Sequence, residues 1–417
     1  MLNNHICAVD IGSSKISAVL AQIKNKHISR LFFESGFSKG IEKGMVVDSV
    51  ELIQALEQVL KNLRVKSGIN FKLVYANLSG KDIITKHSRA IIPLAERGNK
   101  VVTISDIQRA NEQARILGSS LEEEIIHQIA YGYSIDSKEN IIQPLGLYSH
   151  KLEVDLYLVC AKLSSVQTLS RVISQSGFEA KNLFFSGIAT SKAVFGPELE
   201  EGINLFCDIG GDITEILIFN AGLLKEIKVL LIGGNDLTEE IGNVLKIPFE
   251  LAEDVKKSHF ISAGSELSRE DKEILIKKDN IYKPIKQKII SEILTSKVKS
   301  IAETIKGAVE KESGCSHIKN FVVAGRVVLS EDFLEIFEAT LGIPVRLARI
   351  VNPELSVLAN KEPALSGQKY LNYLTSLGMI LQVIQGEGLF AAKPSLPSNN
   401  LFFKAVNKAK EVYQEYF

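Results

Sequence analysis

Two Asp-Ile-Gly turns, each set between apolar strand-like segments, are the part of this sequence best suited to binding an anion. Glycine lets a backbone approach an anion closely, and the N–H groups of a tight turn form a concave anion site. The carboxylates of Asp10 and Asp208 would repel a polyphosphate unless they held Mg²⁺, directly or through its waters. We therefore expect a Mg²⁺–polyphosphate site. The candidate residues of the first turn are Asp10, Gly12, Ser13, Ser14 and Lys15.

The second turn continues after Asp208 and Ile209 with Gly210, Gly211 and Asp212. Two further glycine segments could complete such a site. The segment Leu231-Ile-Gly-Gly-Asn235 follows a strand pattern and precedes a helix pattern that Asp236 or Thr238 could cap. Paired glycines at a helix N-terminus suit the approach of a phosphate or a ribose. A base could lie against the bare backbone of Gly325, which follows the apolar strand pattern FVVA.

The last segment, residues 401–417, reads LFFKAVNKAKEVYQEYF and predicts an amphipathic helix. Its apolar stripe, with the flanking C-terminal residue, contains Phe402, Val406, Tyr413, Tyr416 and Phe417. Aromatic residues on one face and lysines on the other are typical of a helix that lies in a lipid interface. A helix that docks on its own protein or on a partner helix is equally compatible with these residues. Binding of a single copy to lipid should be weak, and self-assembly would strengthen it by avidity.

The elements around the two turns repeat each other. The segment 204–219 aligns without a gap on the first segment of the chain, so that Asp208 falls on Asp10 and Leu217 on Val19. Two copies of one strand-turn-strand unit, half a chain apart, indicate an internal duplication and two lobes that face each other. Helix patterns cover residues 49–63, 105–117, 165–176, 331–341 and 370–385, and 236–312 is mainly helical and rich in lysine.

These patterns divide the chain into five parts. Residues 1–82 and 163–195 form the core of the first lobe, to which a helix near 370–386 returns. Residues 83–162 form a small inserted α+β unit, and 196–369 form the second lobe with a helical subdomain at about 236–318. A linker rich in Pro, Ser and Asn, 387–400, precedes the terminal helix at 401–417.

The composition sets broad limits on the function. Lys plus Arg equals Asp plus Glu at 49 each, so net charge gives no reason to expect nucleic-acid binding. The four cysteines are far apart in sequence, which predicts buried thiols in a reducing compartment rather than a zinc site. No signal-peptide pattern precedes the first strand, so we expect a cytoplasmic protein. His87, His127 and His150 lack a catalytic pattern and are expected in surface or loop positions.

Six segments, spread in order along most of the chain, resemble the FtsA family of bacterial cell-division proteins. They are GIEKGMVVD (40–48), NLSGKDI (77–83), IIHQIAYGYSID (125–136), PLGLYSHKLEVDLYLV (144–159), LIGGNDLTEEI (231–241) and AEDVK (252–256). The stretch 125–159 is the most specific and resembles the inserted subdomain of that family. The two turns are similar to the phosphate loops of the wider superfamily of actin, Hsp70 and sugar kinases.

The resemblance implies an α/β protein with two lobes of the ribonuclease-H-like actin type and ATP with Mg²⁺ between them. It implies a membrane-targeting role for the C-terminal helix, self-assembly into filaments on the cytoplasmic face of the inner membrane, and tethering of FtsZ through the C-terminal tail of FtsZ. It assigns nucleotide contacts to the first turn and to Asp208, Gly210, Gly211 and Thr214 in the second turn. It also assigns positions near the ribose and adenine to Gly233, Gly234, Glu253, Lys256 and Gly325.

The sequence departs from the family in the second turn and in the residue after Gly325. The family pattern Gly-Gly-Gly-Thr-Thr-Asp is replaced by residues 210–215, in which Asp212 adds a carboxylate and Ile213 removes a hydroxyl. Arg326 follows Gly325 in place of a second glycine and could stack on adenine, contact phosphate or fill the pocket. Two like charges about 4 Å apart repel by roughly 1 kcal/mol in water and by more in a dry cleft. We therefore expect weakened nucleotide binding or, at most, a slow ATPase.

Two other functions fit the same fold. A PilM-like pilus assembly ATPase would share the inserted subdomain but lacks a terminal amphipathic helix, so the tail argues against it. A small-molecule kinase of the superfamily would need a catalytic carboxylate beside a substrate pocket, for which the sequence has no convincing motif.

Overall fold

The computed structural model describes residues 5–386 except 96–97, 137, 197–198, 200–201, 263–272, 279–280, 314–317, 331 and 360. The linker and terminal helix expected at 387–400 and 401–417 lie outside the described residues, as does Cys315. Cys7, Cys160 and Cys207 are buried free thiols, as expected.

The described elements follow in chain order. The strands are β1 (His5–Ile11), β2 (Lys15–Lys24), β3 (His27–Phe37), β4 (Ile41–Glu42), β5 (Met45–Val46), β6 (Leu73–Leu78), β7 (Ile83–Pro93), β8 (Lys100–Val101), β9 (Glu123–Ile135), β10 (Lys138–Ile141), β11 (Tyr148–Ser149), β12 (Lys151–Lys162), β13 (Glu179–Phe185), β14 (Ile203–Ile209), β15 (Thr214–Asn220), β16 (Leu223–Leu230), β17 (Glu273–Lys278), β18 (Ile281–Lys286), β19 (Ile318–Ala324) and β20 (Val345–Leu347). The helices are α1 (Ser49–Ser67), α2 (Ile104–Gly118), α3 (Leu163–Gln175), α4 (Ser186–Val194), α5 (Gly234–Leu245), α6 (Phe249–Ser262), α7 (Gln287–Ser313), α8 (Phe333–Leu341), α9 (Pro353–Ala359) and α10 (Leu374–Gln385).

Two five-stranded sheets with the same topology form the two lobes. The first has strand order β13-β6-β1-β2-β3 and the second β20-β19-β14-β15-β16. In each sheet a three-stranded antiparallel meander continues into two parallel strands. Asp10 pairs with Ser17 on the neighbouring strand, and Asp208 pairs with Glu215 at the same offset. The structure thus confirms the gapless repeat read from the sequence.

A third sheet, with order β10-β9-β12-β7, is built from the segment between β6 and α3. One face packs on α2 through a small core that includes Leu152, Leu156 and Ala114. Side chains on the other face, including Ile126, Tyr157 and Val159, join the core of the first lobe. The sheet also reaches the second lobe, because the buried N–H of Ile227 in β16 donates to the Tyr157 hydroxyl at 3.0 Å.

The helices expected from sequence are present, with shifted ends. α1 extends to Ser67, and its N-cap is Asp48, whose carboxylate accepts the N–H groups of Val50 and Glu51. The return helix α10 begins only at Leu374, after a 3₁₀ turn. The segment 236–312 was expected to be mainly helical, and the antiparallel hairpin β17–β18 within it was not foreseen. The β-branched and aromatic residues Ile274, Ile276, Ile281 and Tyr282 favour strand over helix locally.

His127 is not a surface or loop residue, and that expectation was wrong. It lies in β9, its ring is 8% exposed, and its Nε2 accepts the Phe185 N–H at 2.9 Å. Burial, followed by the nearby Lys192 charge, lowers the pKa of His127 to about 3, so its ring is neutral at physiological pH. The neutral imidazole of His127 therefore links the inserted sheet to the first lobe through its hydrogen bond with Phe185. His87 and His150 are more exposed and pair with Asp155 and Asp136.

Helices α4 and α10 cross at very close range beneath the region between the lobes. A Cβ at Gly378 in α10 would lie 1.7 Å from the carbonyl oxygen of Ala189 in α4, so only glycine fits at this crossing. The adjoining residues Thr190 and Thr375 approach within 3.1 Å through their hydroxyl groups. The crossing therefore sets the positions of two hydroxyl groups at the bottom of the cleft.

We expect Gly378→Ala to destabilise the protein by about 1–3 kcal/mol, because the added methyl group must push the two helices apart. The midpoint of urea unfolding, followed by circular dichroism, measures this loss. Gly307→Ala is the matched control, since Gly307 lies on an exposed face of α7 with no atom within 4 Å of a Cβ. That change should be neutral or stabilising by about 1 kcal/mol. Equal midpoints for Gly378→Ala and wild type would contradict the close crossing.

Candidate functional site

The two Asp-Ile-Gly turns meet at the boundary between the lobes. In the first turn the Gly12 N–H donates to the Lys15 carbonyl at 3.0 Å, and in the second the Gly210 N–H donates to the Ile213 carbonyl at 2.8 Å. A Cβ on Gly211 would lie 3.3 Å from the Cβ of Ser14, so the tips of the turns are in close contact. The structure therefore brings the candidate residues of both turns to one cleft.

Asp10 and Asp208, at the ends of β1 and β14, are only partly exposed at the bottom of this cleft. Burial raises the pKa of Asp10, although Lys15 and hydrogen bonds from Thr375, Ser17 and Asn77 oppose the rise. Burial, followed by repulsion from Asp10, raises the pKa of Asp208 to about 6. The two carboxylates therefore lie within electrostatic range of each other and lack sufficient compensating positive charge.

A third carboxyl group, Glu215, was missed as a site residue in the sequence analysis. Its side chain is 4% exposed and accepts a hydrogen bond from the Ser79 hydroxyl of the first lobe. Burial is the main reason that the pKa of Glu215 lies well above its usual range, and Asp208 and Asp10 raise it further. Glu215 pairs with Asp208 as Ser17 pairs with Asp10, so its place in the duplicated unit signals a position near the turn, but not its contact with the other lobe.

Lys15 is held by the protein rather than projecting freely into the cleft. Its ammonium group donates to the Asn372 carbonyl oxygen at 2.7 Å and to Asn372 Oδ1 at 3.0 Å. Burial lowers the pKa of Lys15 to about 8, against the opposing effect of Asp10, and the positive charge of Arg326 contributes to the lowering. Lys15 therefore offers a nearby positive charge whose donors are already partly used.

The start of α5 is fastened to the second turn. The N–H of Gly234 donates to the Gly210 carbonyl at 2.9 Å, and the N–H of Asn235 donates to the Gly211 carbonyl at 2.7 Å. A Cβ at Gly233 would lie 2.5 Å from the Gly211 oxygen, which explains the glycine. Of the two expected caps, Asp236 acts at the helix start, where its carboxylate accepts the Gly233 N–H at 2.8 Å. These amide groups are therefore engaged within the protein.

The remaining candidate side chains of the second lobe also form hydrogen bonds within the protein. The ammonium group of Lys256, which is 6% exposed, donates to the Gly234 carbonyl at 3.0 Å, Thr238 Oγ1 at 2.7 Å and Glu253 Oε2 at 2.6 Å. Burial lowers the pKa of Lys256. Burial disfavours the charged form of Glu253, but Lys256 and its other partners together lower its pKa. The buried Thr214 hydroxyl donates to the Ile232 carbonyl at 2.8 Å and serves the fold.

The carboxylate of Asp212 joins the lobes. It accepts the backbone N–H of Lys43 from the β4–β5 turn at 2.9 Å and the Asn235 side-chain amide at 2.7 Å. The neighbouring Ile213 side chain approaches Gly44 so closely that a Cβ there would lie 2.8 Å from it. The two departures in the second turn therefore form contacts between the lobes, which the sequence did not indicate.

Gly325 lies against the end of β14, where its φ of +105° and its closeness to Ile209 require glycine. A Cβ at Gly325 would lie 2.0 Å from the Ile209 carbonyl oxygen. The next residue, Arg326, is exposed to solvent and does not fill a buried pocket. It adds a positive charge to the cleft beside the second turn.

Across residues 5–386, apart from the gaps given above, no three His, Cys, Asp or Glu side chains converge to hold a metal ion. Asp10 and Asp208 could thus supply only part of a coordination shell. In the same part of the chain no helix is both long enough and apolar enough to cross a bilayer. The candidate lipid contacts Phe402, Val406, Tyr413, Tyr416 and Phe417 lie outside it.

Solved structures with the same architecture confirm the fold class. The type IV pilus biogenesis complex PilM–PilN matches with a TM-score of 0.59 and 14% identity, over 91% of this chain and 98% of that chain. The ethanolamine utilization protein EutJ from Carboxydothermus hydrogenoformans matches with a TM-score of 0.51 and 15% identity, over 91% and 90%. MreB 5 of Spiroplasma citri bound to AMPPNP matches with a TM-score of 0.50 and 13% identity, over 93% and 98%. The fold is the expected two-lobed actin-like α/β fold.

Two family models and several curated relatives agree on one family. Residues 80–160 match the SHS2 domain inserted in FtsA, and residues 205–367 match cell division protein FtsA. Cell division protein FtsA of Borreliella burgdorferi is 24% identical over 83% of this chain and 85% of its own length. The protein of the same name from Buchnera aphidicola is 26% identical over 82% and 83%. Together the models cover more than half of the chain, which therefore belongs to the FtsA family of cell-division proteins.

Proposed function

We propose that this chain binds ATP with Mg²⁺ in the cleft between its lobes and assembles with other copies on the cytoplasmic face of the inner membrane at the division site. There it would anchor FtsZ, through the FtsZ C-terminal tail, to lipid contacted by residues 401–417. The observation that carries the nucleotide site is the contact of the two turns, with Gly211 against Ser14 and both Asp10 and Asp208 beside them. Hydrolysis, where it occurs, is slow.

The charge in the cleft supports the choice of Mg²⁺. Asp10 and Asp208 have raised pKa values because they are buried, and in the case of Asp208 also because Asp10 is near. A hard divalent cation that keeps most of its waters relieves this repulsion and needs only one or two carboxylates when phosphates supply other ligands. Asp10 and Asp208 would hold the ion through water, and it would offset the charge of the polyphosphate.

The departures in the second turn support weak nucleotide binding. Asp212 places one more carboxylate beside the expected phosphates, and its hydrogen bonds to Lys43 and Asn235 hold the lobes together without a ligand. Ligand entry must therefore separate or rearrange contacts that are already satisfied, which lowers the apparent affinity.

The partners follow from the family and from the sequence of the tail. The relatives are named for cell division, and the stripe from Phe402 to Tyr416 fits a helix in a lipid interface. PilM–PilN is a close structural neighbour, so a pilus assembly role is the second candidate. The matches to both FtsA models and the amphipathic tail favour the division role, and nucleic acid is not among the partners we propose.

We expect Asp208→Asn to abolish Mg²⁺-dependent nucleotide binding at pH 7.5 and yet raise the thermal midpoint of the ligand-free protein. Because the folded pKa of Asp208, about 6, lies above its usual value, the charged carboxylate destabilises the fold as pH rises through 6. The gain in midpoint should therefore shrink as the pH falls below 6 and disappear only below about pH 4, where Asp208 is protonated in the folded and the unfolded protein alike. Thermal scans and calorimetric titration with and without Mg²⁺ measure both effects. A variant that still binds Mg-ATP like the wild type would rule out a role for Asp208.

We expect Asp212→Gly to strengthen Mg-ATP binding by about fivefold or more, because it removes a repulsion of roughly 1 kcal/mol or more and frees the lobes. Asp212→Asn separates the effect of the charge from that of the contact between the lobes. Its side-chain oxygen can still accept the Lys43 N–H, but it carries no charge. Titration of all three proteins at one ionic strength gives the comparison. Weaker binding by Asp212→Gly would mean that Asp212 helps to hold the nucleotide.

We expect deletion of residues 401–417 to abolish sedimentation of the protein with anionic lipid vesicles. A matched pair tests the stripe within the full chain. Both substitutions add the same negative charge, so they differ only in the face of the predicted helix that they change. Val406→Glu, on the apolar stripe, should reduce sedimentation strongly, and Asn407→Glu, on the opposite face, should reduce it little. Unchanged sedimentation of the truncated protein would exclude this segment as the membrane contact.

A further inference from the structure

Three basic side chains surround the cleft, and two of them are already engaged. The ammonium group of Lys15 donates to two oxygens of Asn372, at 2.7 and 3.0 Å. That of Lys256 donates to three acceptors, on Gly234, Thr238 and Glu253, which saturates its three N–H groups. A phosphate entering the cleft therefore finds positive potential from both lysines but few free donors.

Arg326 differs from both lysines. Its side chain is exposed, and in the portion of the chain that the structure describes its guanidinium forms no hydrogen bond or ion pair. Its backbone is fixed on both sides. Gly325 lies against the Ile209 carbonyl at the base of the second turn, and a Cβ on Gly234 would lie 3.7 Å from that of Val327. Arg326 is therefore held where the second turn and the start of α5 meet, with its five N–H donors free.

We propose that Arg326 binds the phosphate groups of the nucleotide, and not its base, and is the main source of free hydrogen-bond donors from a basic side chain in this cleft. This proposal rests on the proposed function. The guanidinium fork matches two oxygens of a phosphate group, an arrangement that a lysine cannot reproduce.

Two observations favour phosphate over adenine. First, Arg326 lies near enough to Lys15, which belongs to the first phosphate turn, to help lower its pKa, and it acts on Lys256 in the same direction. Second, Asp212 adds one negative charge beside the second turn, and Arg326 adds one positive charge at the base of the same turn. The charge of Arg326 therefore offsets part of the repulsion between Asp212 and a polyphosphate.

Calorimetric titration of the full chain with Mg-ATP, tripolyphosphate and adenosine tests this assignment. Arg326→Gln should lower the affinity for Mg-ATP and for tripolyphosphate by about tenfold or more and leave that for adenosine unchanged. Arg326→Lys should recover part of the loss, because it restores the charge but not the fork. Arg171→Gln, an equal change of charge on the exposed face of α3, is the control and should bind all three ligands like the wild type. Thermal midpoints check that each variant is folded.

Three other results would contradict the assignment of Arg326 to the phosphate groups. An equal loss of adenosine affinity in Arg326→Gln would place the guanidinium on the base and overturn the proposal. Tighter Mg-ATP binding by Arg326→Gly would show that the arginine obstructs the cleft, and unchanged binding by Arg326→Gln would show that it contacts no ligand. In these cases the wild type still binds Mg-ATP, so the proposed function stands. A wild-type protein that binds neither Mg-ATP nor tripolyphosphate overturns both.

Discussion

The repulsion between Asp10 and Asp208 is the constraint on which the rest of the cleft depends. Their strands end at equivalent points of a duplicated unit, so the symmetry of the two lobes brings two carboxylates into one partly dry space. Asn77 donates to Asp10 at 2.8 Å, and hydrogen bonds from Thr375 and Thr190 help to stabilise the charged forms of Asp10 and Asp208, respectively. The close crossing of α4 and α10 fixes the positions of Thr190 and Thr375. The packing of these two helices therefore helps to stabilise the charged forms of Asp10 and Asp208.

Contacts between the lobes surround this charged centre. Asp212 reaches Lys43, and Glu215 accepts a hydrogen bond from Ser79. Farther out, Lys225 of β16 lies 3.7 Å from the ring centroid of Tyr131 in the inserted sheet. Cation–π contacts and buried hydrogen bonds each contribute on the order of 1 kcal/mol, so several together stabilise the contact between the two halves of the molecule.

Much of the fold could be predicted from the sequence, because the patterns that indicate its turns, strands and helices are local. The two turns, their flanking strands and the exact repeat offset follow from a few glycines and from alternating apolar residues, and the main helices follow from their period. β9 was missed although it is a central strand, because two register shifts against β12 disturb its alternation. The β17–β18 hairpin was missed because a lysine-rich segment between helices was read as continuous helix.

The site was predictable in its location but not in the use of its donors. The sequence identified Lys15 and Lys256 as cations near a ligand, but the acceptor of Lys15 lies 357 residues away, at Asn372. Whether a donor is free depends on such distant partners, which no local motif contains. The same limit explains why Glu215 was missed and why the hydrogen bond from Thr214 to the Ile232 carbonyl was not foreseen. A departure such as Arg326 is thus informative in the structure, because Lys15 and Lys256 already donate to protein acceptors and Arg326 is an exposed cation beside the same turn.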